Sequence, residues 1–272
     1  MQIQSVSRAI DILGLFSQDR PRMGVTEIAK ALMLNTATAF GLITTLQQRG
    51  LLVKDPESKR YGLGPRLFEL GTIQLWSQRL YQVGVYPVHR LSEAANKSTR
   101  LYSWEKGDML LILQVFHPSE NFPFGGAFSP KLPLYCSGAG KAILAWLPEV
   151  ELTDYLKRTK LHPFTSSTIS DKNVLKRELK KIRKKGYSAD REEFMKGINC
   201  IAMPIFDFSN RPVGAVSISV DSDDFANHGV DSLERELRFT SIEISRSMGH
   251  ALDGERLSIA SSRTKSTGLR SE

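Results

Sequence analysis

The chain has 272 residues, enough for one large domain or two modest ones. With 41% hydrophobic and 24% charged residues it is too apolar for wholesale disorder, and no stretch approaches the ~18–20 apolar residues that a membrane helix needs. The net charge of +8 invites a nucleic-acid reading, yet the excess is concentrated in residues 172–185, with eight basic side chains and one acidic, and not at the N-terminus.

Two cysteines, Cys136 and Cys200, exclude a disulfide-rich scaffold and fit a reducing cytoplasm. The first residues lack a basic start followed by an apolar run, which argues against a signal peptide, so a cytoplasmic location is expected. The five histidines are scattered, with no His-x-x-x-His and no Cys-x-x-Cys, so no metal or cofactor is expected.

Val6, Ala9, Ile10, Leu13 and Phe16 recur at helical spacing and predict an amphipathic helix over 5–17. Thr26 can cap a short second helix over 27–32, with Glu27 in its first turn. Thr36 can cap a third over 36–49, which Gly50 stops. A strand at 51–53, a turn at 55–58 and a return strand at 59–63 follow. Helix, short helix, helix and hairpin in that order suggest a winged helix-turn-helix over residues 1–64. Pro65 can open a linker helix over 65–80, whose apolar face carries Leu67, Phe68, Leu70 and Leu75 and can pair between subunits.

The remainder, residues 81–253, alternates helices and strands. A helix is expected over 79–96, strands over 101–104 and 109–116, a loop over 117–131, and helices over 137–147 and 149–156. The basic run 172–185 reads as a helix with Val174, Leu175, Leu179 and Ile182 on its apolar stripe, a solvated lysine face and not a DNA contact. Strands at 187–190, 200–206 and 213–221 and a long helix over 231–252 complete it. The tail 254–272 is serine-rich and poor in apolar residues, and is expected to be disordered.

This order of motifs closely resembles the IclR family of bacterial transcriptional regulators over about residues 4–252. At the front the resemblance rests on Ser5-Val-Ser-Arg-Ala-Ile-Asp-Ile-Leu13, Thr26-Glu-Ile-Ala29 and Arg60-Tyr-Gly-Leu-Gly64. At the back it rests on Leu132-Pro-Leu-Tyr-Cys-Ser-Gly-Ala-Gly-Lys-Ala-Ile-Leu-Ala145, Gly186-Tyr-Ser-Ala-Asp-Arg-Glu-Glu193, Gly197-Ile-Asn-Cys-Ile-Ala202 and Val213-Gly-Ala-Val-Ser-Ile-Ser219. Each motif alone is weak; their joint order is specific. The resemblance implies an α+β chain: an N-terminal winged helix-turn-helix joined by a linker helix to a C-terminal GAF-like effector-binding domain. It also implies a homodimer or homotetramer on a palindromic double-stranded DNA operator.

An α-helix fits the major groove with its N-terminal side chains at base edges. In the third helix those are Asn35, Thr36, Thr38, Ala39 and Phe40. Phe40 fits equally a thymine methyl or the small domain's own core. Lys59 and Arg60 on the wing suit phosphates or a narrow minor groove, and Arg8 near a helix start suits a phosphate. Family members often carry Pro-Lys-Ser-Thr and then His or Tyr and Arg here. This chain has Asn35-Thr-Ala-Thr38 and Ala39-Phe-Gly41, with no cation from 35 to 48. Fewer phosphate contacts predict a shallower salt dependence and an operator unlike the typical one.

For the second site, Ser137-Gly-Ala-Gly140 opens a helix, where backbone N–H groups and the positive dipole end favour a carboxylate. By resemblance, Gly138, Ala139, Asp190, Cys200, Ser217 and Ser219 fall on effector-contacting positions. Ser217 and Ser219 share a strand face. Phe124, Leu132 and Ile198 suit either the apolar wall of such a pocket or ordinary core packing. The expected effector is a small carboxylate.

Enzyme readings find less support. Gly138-Ala-Gly-Lys141 is not a P-loop, because Ala142 replaces the Ser or Thr and Tyr135 the first glycine. There is no Gly-x-Ser-x-Gly, and the adjacent Glu192 and Glu193 point to opposite faces in a strand. Cys136 with His117 or His162 remains a nucleophile and base by residue type alone. The sequence therefore predicts a non-enzymatic, DNA-binding regulator responsive to a small molecule, against two rivals: a sensor that no longer reads DNA, and an enzyme built on the C-terminal cavity.

Overall fold

The computed structural model describes residues 2–105, 107–118, 132–221 and 231–251. The expected loop is therefore described only at its first residues, and Phe124 and the tail lie outside the described residues. The chain divides after Ser77 into two units.

The first unit runs α1 (Gln4–Leu13), α2 (Val25–Ala31), α3 (Thr36–Gln48), β1 (Leu52–Lys54), β2 (Tyr61–Leu63) and α4 (Pro65–Ser77). Ile12, Met23, Ile28, Ala29, Ala39, Ile43, Leu46, Leu52 and Tyr61 form its core. Ala39, Ile43 and Leu46 stand four and three apart, so α3 presents one stripe inward. Both caps lie upstream of the expected threonines. Gly24 caps α2, and its N–H donates to Glu27 Oε2 (2.6 Å), so the glutamate that follows three residues later decides the start. Asn35 caps α3, with its Oδ1 accepting from the Thr38 N–H (2.7 Å).

The wing is pinned at its tip and its base. Asp55 Oδ1 accepts from the Ser58 N–H and hydroxyl (2.7 Å each), and these bonds hold the Asp55 carboxyl down at about 2. Lys59 then turns the chain with φ +57°. At the base, Met23 bridges Tyr61 and so sets the hairpin against the residues before α2.

The second unit opens with α5 (Arg79–Ala95), β3 (Thr99–Glu105) and β4 (Asp108–Val115). A short 3-10 turn at Leu134–Cys136 leads into α6 (Gly138–Leu144), followed by α7 (Glu149–Arg158) and α8 (Lys172–Lys185). Strands β5 (Ser188–Arg191), β6 (Ile198–Phe206) and β7 (Pro212–Asp221) precede α9 (Asp231–Ser247). The strands form one sheet in the order β4-β3-β7-β6-β5, every pairing antiparallel. Helices α5 and α9 pack on one face and α6 on the other, so β7 is covered on both sides.

Helix α8 spans the expected basic run. Asp171 caps it through the Asn173 and Val174 N–H groups, and Gly186 ends it at φ +86°. Leu175, Leu179 and Ile182 are buried, whereas Val174 faces outward, one position off the stripe. No single described helix is long and apolar enough to cross a membrane.

Candidate functional site

In the first unit, the stripe that buries Ala39, Ile43 and Leu46 turns the opposite face of α3 outward. Asn35, Thr36, Ala37, Phe40 and Gly41 are exposed and Thr44 is half-buried. Phe40 is 52% exposed, which settles its two readings in favour of the surface. Ala39 is corrected: at 0% exposure it is a core residue and cannot reach a base edge. Thr38 is half-buried, and Asn35 spends one acceptor on the cap. The outward set thus includes Ala37, Gly41 and Thr44, which continue the face of Thr36 and Phe40 at steps of three and four.

The three basic residues differ in how they are held. Lys59 is exposed at the wing tip. Arg60 is half-buried, and its Nη2 donates to the Arg22 carbonyl (3.0 Å) and pairs with Glu27 (2.9 Å). The Gly24 N–H bond and the Arg60 charge both lower the Glu27 pKa, so this carboxylate stays ionised. Arg60 therefore ties wing to α2, which qualifies its expected role as a phosphate contact. Arg8 is half-buried on α1.

In the second unit, a narrow cavity of about 30 Å³ lies between the sheet and α6. It gathers seven of the predicted residues: Leu132, Gly138, Ala139, Asp190, Ile198, Cys200 and Ser217. The register explains why. Asp190 pairs with Cys200 across β5 and β6, and Cys200 with Ser219 on β7. One row along, Ala202 pairs with Ser217, and Ser217 with Arg100 on β3. All these side chains share the face that α6 covers. Ser219 is buried on that face without lining the cavity; its Oγ accepts from Arg100 Nη1 and lies 3.4 Å from Cys200 Sγ.

Ser137 caps α6: its Oγ accepts from the Gly140 N–H (3.2 Å) and donates to the Pro133 carbonyl (2.9 Å). Gly140 has to be glycine, because a Cβ there would sit 2.3 Å from Leu134 Cα. That approach fixes the 3-10 turn against the helix and presents Gly138 and Ala139 to the cavity.

The electrostatics are unusual for so small a space. Burial pushes the Asp190 carboxyl up to about 7, although its Oδ1 accepts from the Glu193 N–H (2.7 Å). Lys141 is fully buried; its Nζ donates to the Ala189 carbonyl (2.8 Å) and pairs with Glu193, whose carboxyl burial also raises. Burial pushes the Cys136 thiol up to about 12, the opposite of what a nucleophile needs. Sequence reasoning missed Arg100, Tyr102, Phe194 and Met195 in the lining. The alternation of β3 could have flagged Arg100 and Tyr102, had the covered face been known.

Comparison with known proteins agrees with this two-unit fold. Residues 5–56 match the IclR helix-turn-helix domain, and residues 74–246 match the bacterial transcriptional regulator IclR C-terminal family. The transcriptional repressor IclR of Escherichia coli is 34% identical over 224 residues, 80% of each chain. The crystal structure of the Thermotoga maritima IclR superposes with a TM-score of 0.72 at 31% identity, covering 92% of this chain and all of that one. An IclR homologue from Microbacterium hydrocarbonoxydans, complexed with 4-hydroxybenzoate, shares the fold with a TM-score of 0.74 at 23% identity, covering 90% of this chain and 99% of that one. The chain belongs to the IclR family of DNA-binding bacterial transcriptional regulators, with an N-terminal helix-turn-helix domain and a C-terminal ligand-binding domain.

Proposed function

We propose that this chain reads a palindromic operator as a homodimer or homotetramer, through α3 and the β1–β2 wing, and that a small carboxylic acid in the second unit's cavity modulates that binding without being turned over. The observation that carries the reading is the cavity itself: apolar walls from Leu132, Phe194 and Ile198 around a convergent set of hydroxyls, a helix start and buried charges. The 4-hydroxybenzoate complex is a precedent for an acid in this fold. The α3 face carries Thr36, Phe40 and Thr44 but no cation, so base contact there rests on hydroxyls and an aromatic edge, with Lys59 left to neutralise phosphate.

Two apolar surfaces that are exposed among the described residues support association of the first unit with a second copy. Helix α4 buries none of its residues and exposes Phe68, Leu70, Ile73 and Trp76. Helix α1 and its N-cap expose Ile3, Val6 and Ile10, a stripe at steps of three and four. Half-sites spaced by whole helical turns of DNA tolerate little change in the angle between paired readers. A ligand shifts such an equilibrium only by its differential affinity for the two states. A cavity of about 30 Å³ holds little more than water, so an acid has to part its walls on entry, and that is the source of differential affinity.

The test is fluorescence anisotropy of the full chain on DNA from upstream of its own gene, across a salt series, with scrambled DNA as control and small acids added afterwards. Sequence-selective binding that an acid shifts is expected. Ser217→Ala should weaken the acid response and leave operator binding intact. Equal loss of both, or binding no better than to scrambled DNA in a genome-wide selection of fragments, would overturn the reading. Sequence-selective binding that none of the acids shifts would overturn its effector half.

A further inference from the structure

Arg100 stands near the start of β3, 1% exposed, on the sheet face that α6 covers. Its backbone pairs with Gln114 on one side and Ser217 on the other. Its Nη1 donates to Ser219 Oγ, which orients the guanidinium fork, and the side chain lines the same cavity as Ser137, Gly138, Asp190 and Ser217. A guanidinium cannot shed its charge when buried, as a lysine can. In low-dielectric surroundings its field is felt strongly at the short distances inside the cavity.

The other charged or dipolar groups nearby are weaker claims on an acid. Lys141 is engaged with Glu193 and the Ala189 carbonyl. Asp190 repels an anion when ionised, and burial pushes its carboxyl up to about 7, so it gives up part of that charge only at and below neutral pH. Helix α6 has only seven residues, and Ser137 already takes the Gly140 N–H. The start of a helix offers about half a unit charge, against a full unit on the guanidinium.

We propose that Arg100 reads the charge of the ligand: the bound acid lays its carboxylate on the Arg100 guanidinium, at the sheet side of the cavity, and not on the start of α6. The inference rests on the reading of this cavity as the effector site. The ligand class it names is a small monocarboxylate with an apolar body, which then faces Leu132, Phe194, Met195 and Ile198. Ser219, which resemblance made a ligand contact, becomes the residue that positions the guanidinium.

The experiment measures binding of propionate, lactate, benzoate and 4-hydroxybenzoate, each beside its amide, to the full chain by calorimetry and thermal shift. Wild-type protein is expected to prefer at least one acid over its amide by about 10- to 100-fold, the scale of a hydrogen-bonded charge contact. Arg100→Met should bring that ratio to about 1 by weakening the acid while leaving the amide unchanged. Arg100→Lys, which keeps a cation without the fork, should fall between them, and it serves if the methionine variant does not fold. Ser219→Ala should lower the ratio less than Arg100→Met. Operator binding of each variant without acid reports that the fold is intact. If wild type binds an acid and folded Arg100 variants keep the full acid-over-amide ratio, the proposal is overturned while the effector reading stands. If wild type binds none of the four acids, the carboxylate reading of the cavity falls and this proposal with it.

Discussion

Lys141→Met isolates the buried ion pair behind the cavity. Methionine replaces most of the lysine stem, so the packing cost is small. What is lost is the ammonium, which bonds the Ala189 carbonyl and pairs with Glu193 on either side of Asp190. Removing one partner of a buried pair costs about 3–5 kcal/mol, a large share of a stability of about 5–15 kcal/mol. The cost depends on pH with a definite sign. Burial raises the Glu193 carboxyl above 4.5, and Lys141 is what holds it down, so the variant's folded pKa rises further. A carboxyl with a folded pKa above its unfolded one gives stability that falls as pH rises between the two. Lys141 also lowers Asp190, which moves the same way. The deficit relative to wild type should therefore be largest at pH 8 and shrink towards pH 5. Adding Glu193→Gln should recover part of it at pH 8, leaving mainly the unsatisfied Ala189 carbonyl at about 1–3 kcal/mol. Urea unfolding followed by tryptophan fluorescence is suitable, because Trp104 and Trp146 lie in the second unit and Trp76→Phe removes the remaining one. A deficit under about 1 kcal/mol at pH 8, or one equally large at pH 5, would refute the reasoning.

Asp190→Asn removes a carboxyl that burial holds at about 7 instead of 3.8, so it should stabilise the second unit by up to about 4 kcal/mol at pH 8 and by less than about 1 kcal/mol at pH 4, read from urea midpoints at the two pH values. Gly41→Lys places a cation on the outward face of α3, where a Cβ meets nothing within 4 Å. It should stabilise the helix by up to about 1 kcal/mol and steepen the slope of log K against log salt on DNA by about 0.9 per subunit. Gly140→Ala sets a Cβ 2.3 Å from Leu134 Cα and 2.4 Å from its carbonyl oxygen, and should cost about 2–3 kcal/mol in a denaturation series.

Much of the fold was legible because its elements announce their ends. The basic helix is bracketed by Asp171 and Gly186, and its bounds follow from those two residues. The first unit's helices were legible as elements but misplaced at their starts. Thr26 and Thr36 are good capping residues, yet what decides a cap is the partner three residues on. Glu27 reaches back to Gly24, and Asn35 reaches forward to Thr38. Reading pairs and not single residues would have moved both starts correctly. The same holds for Ala39: its spacing to Ile43 and Leu46 marks it as core, but an alanine next to an aromatic draws attention to the aromatic.

The cavity was legible only in half. Gly138, Ala139, Asp190, Cys200 and Ser217 came from resemblance; the register then places Asp190, Cys200 and Ser217 on adjoining rows of one sheet face, and α6 brings Gly138 and Ala139 over it. Arg100 was invisible for a physical reason. In a sheet with one wet face, an arginine between Thr99 and Leu101 reads as solvent-facing. This sheet is covered on both faces, so Thr99, Arg100, Leu101 and Tyr102 are all buried and alternation no longer separates inside from outside. A charged residue in such a strand is confined by the fold before any ligand is considered, and it has to be explained by something within hydrogen-bond reach. Ser219 accepts from Nη1 and so fixes the direction of the guanidinium, and the cavity that Arg100 lines is where an acid would meet that charge.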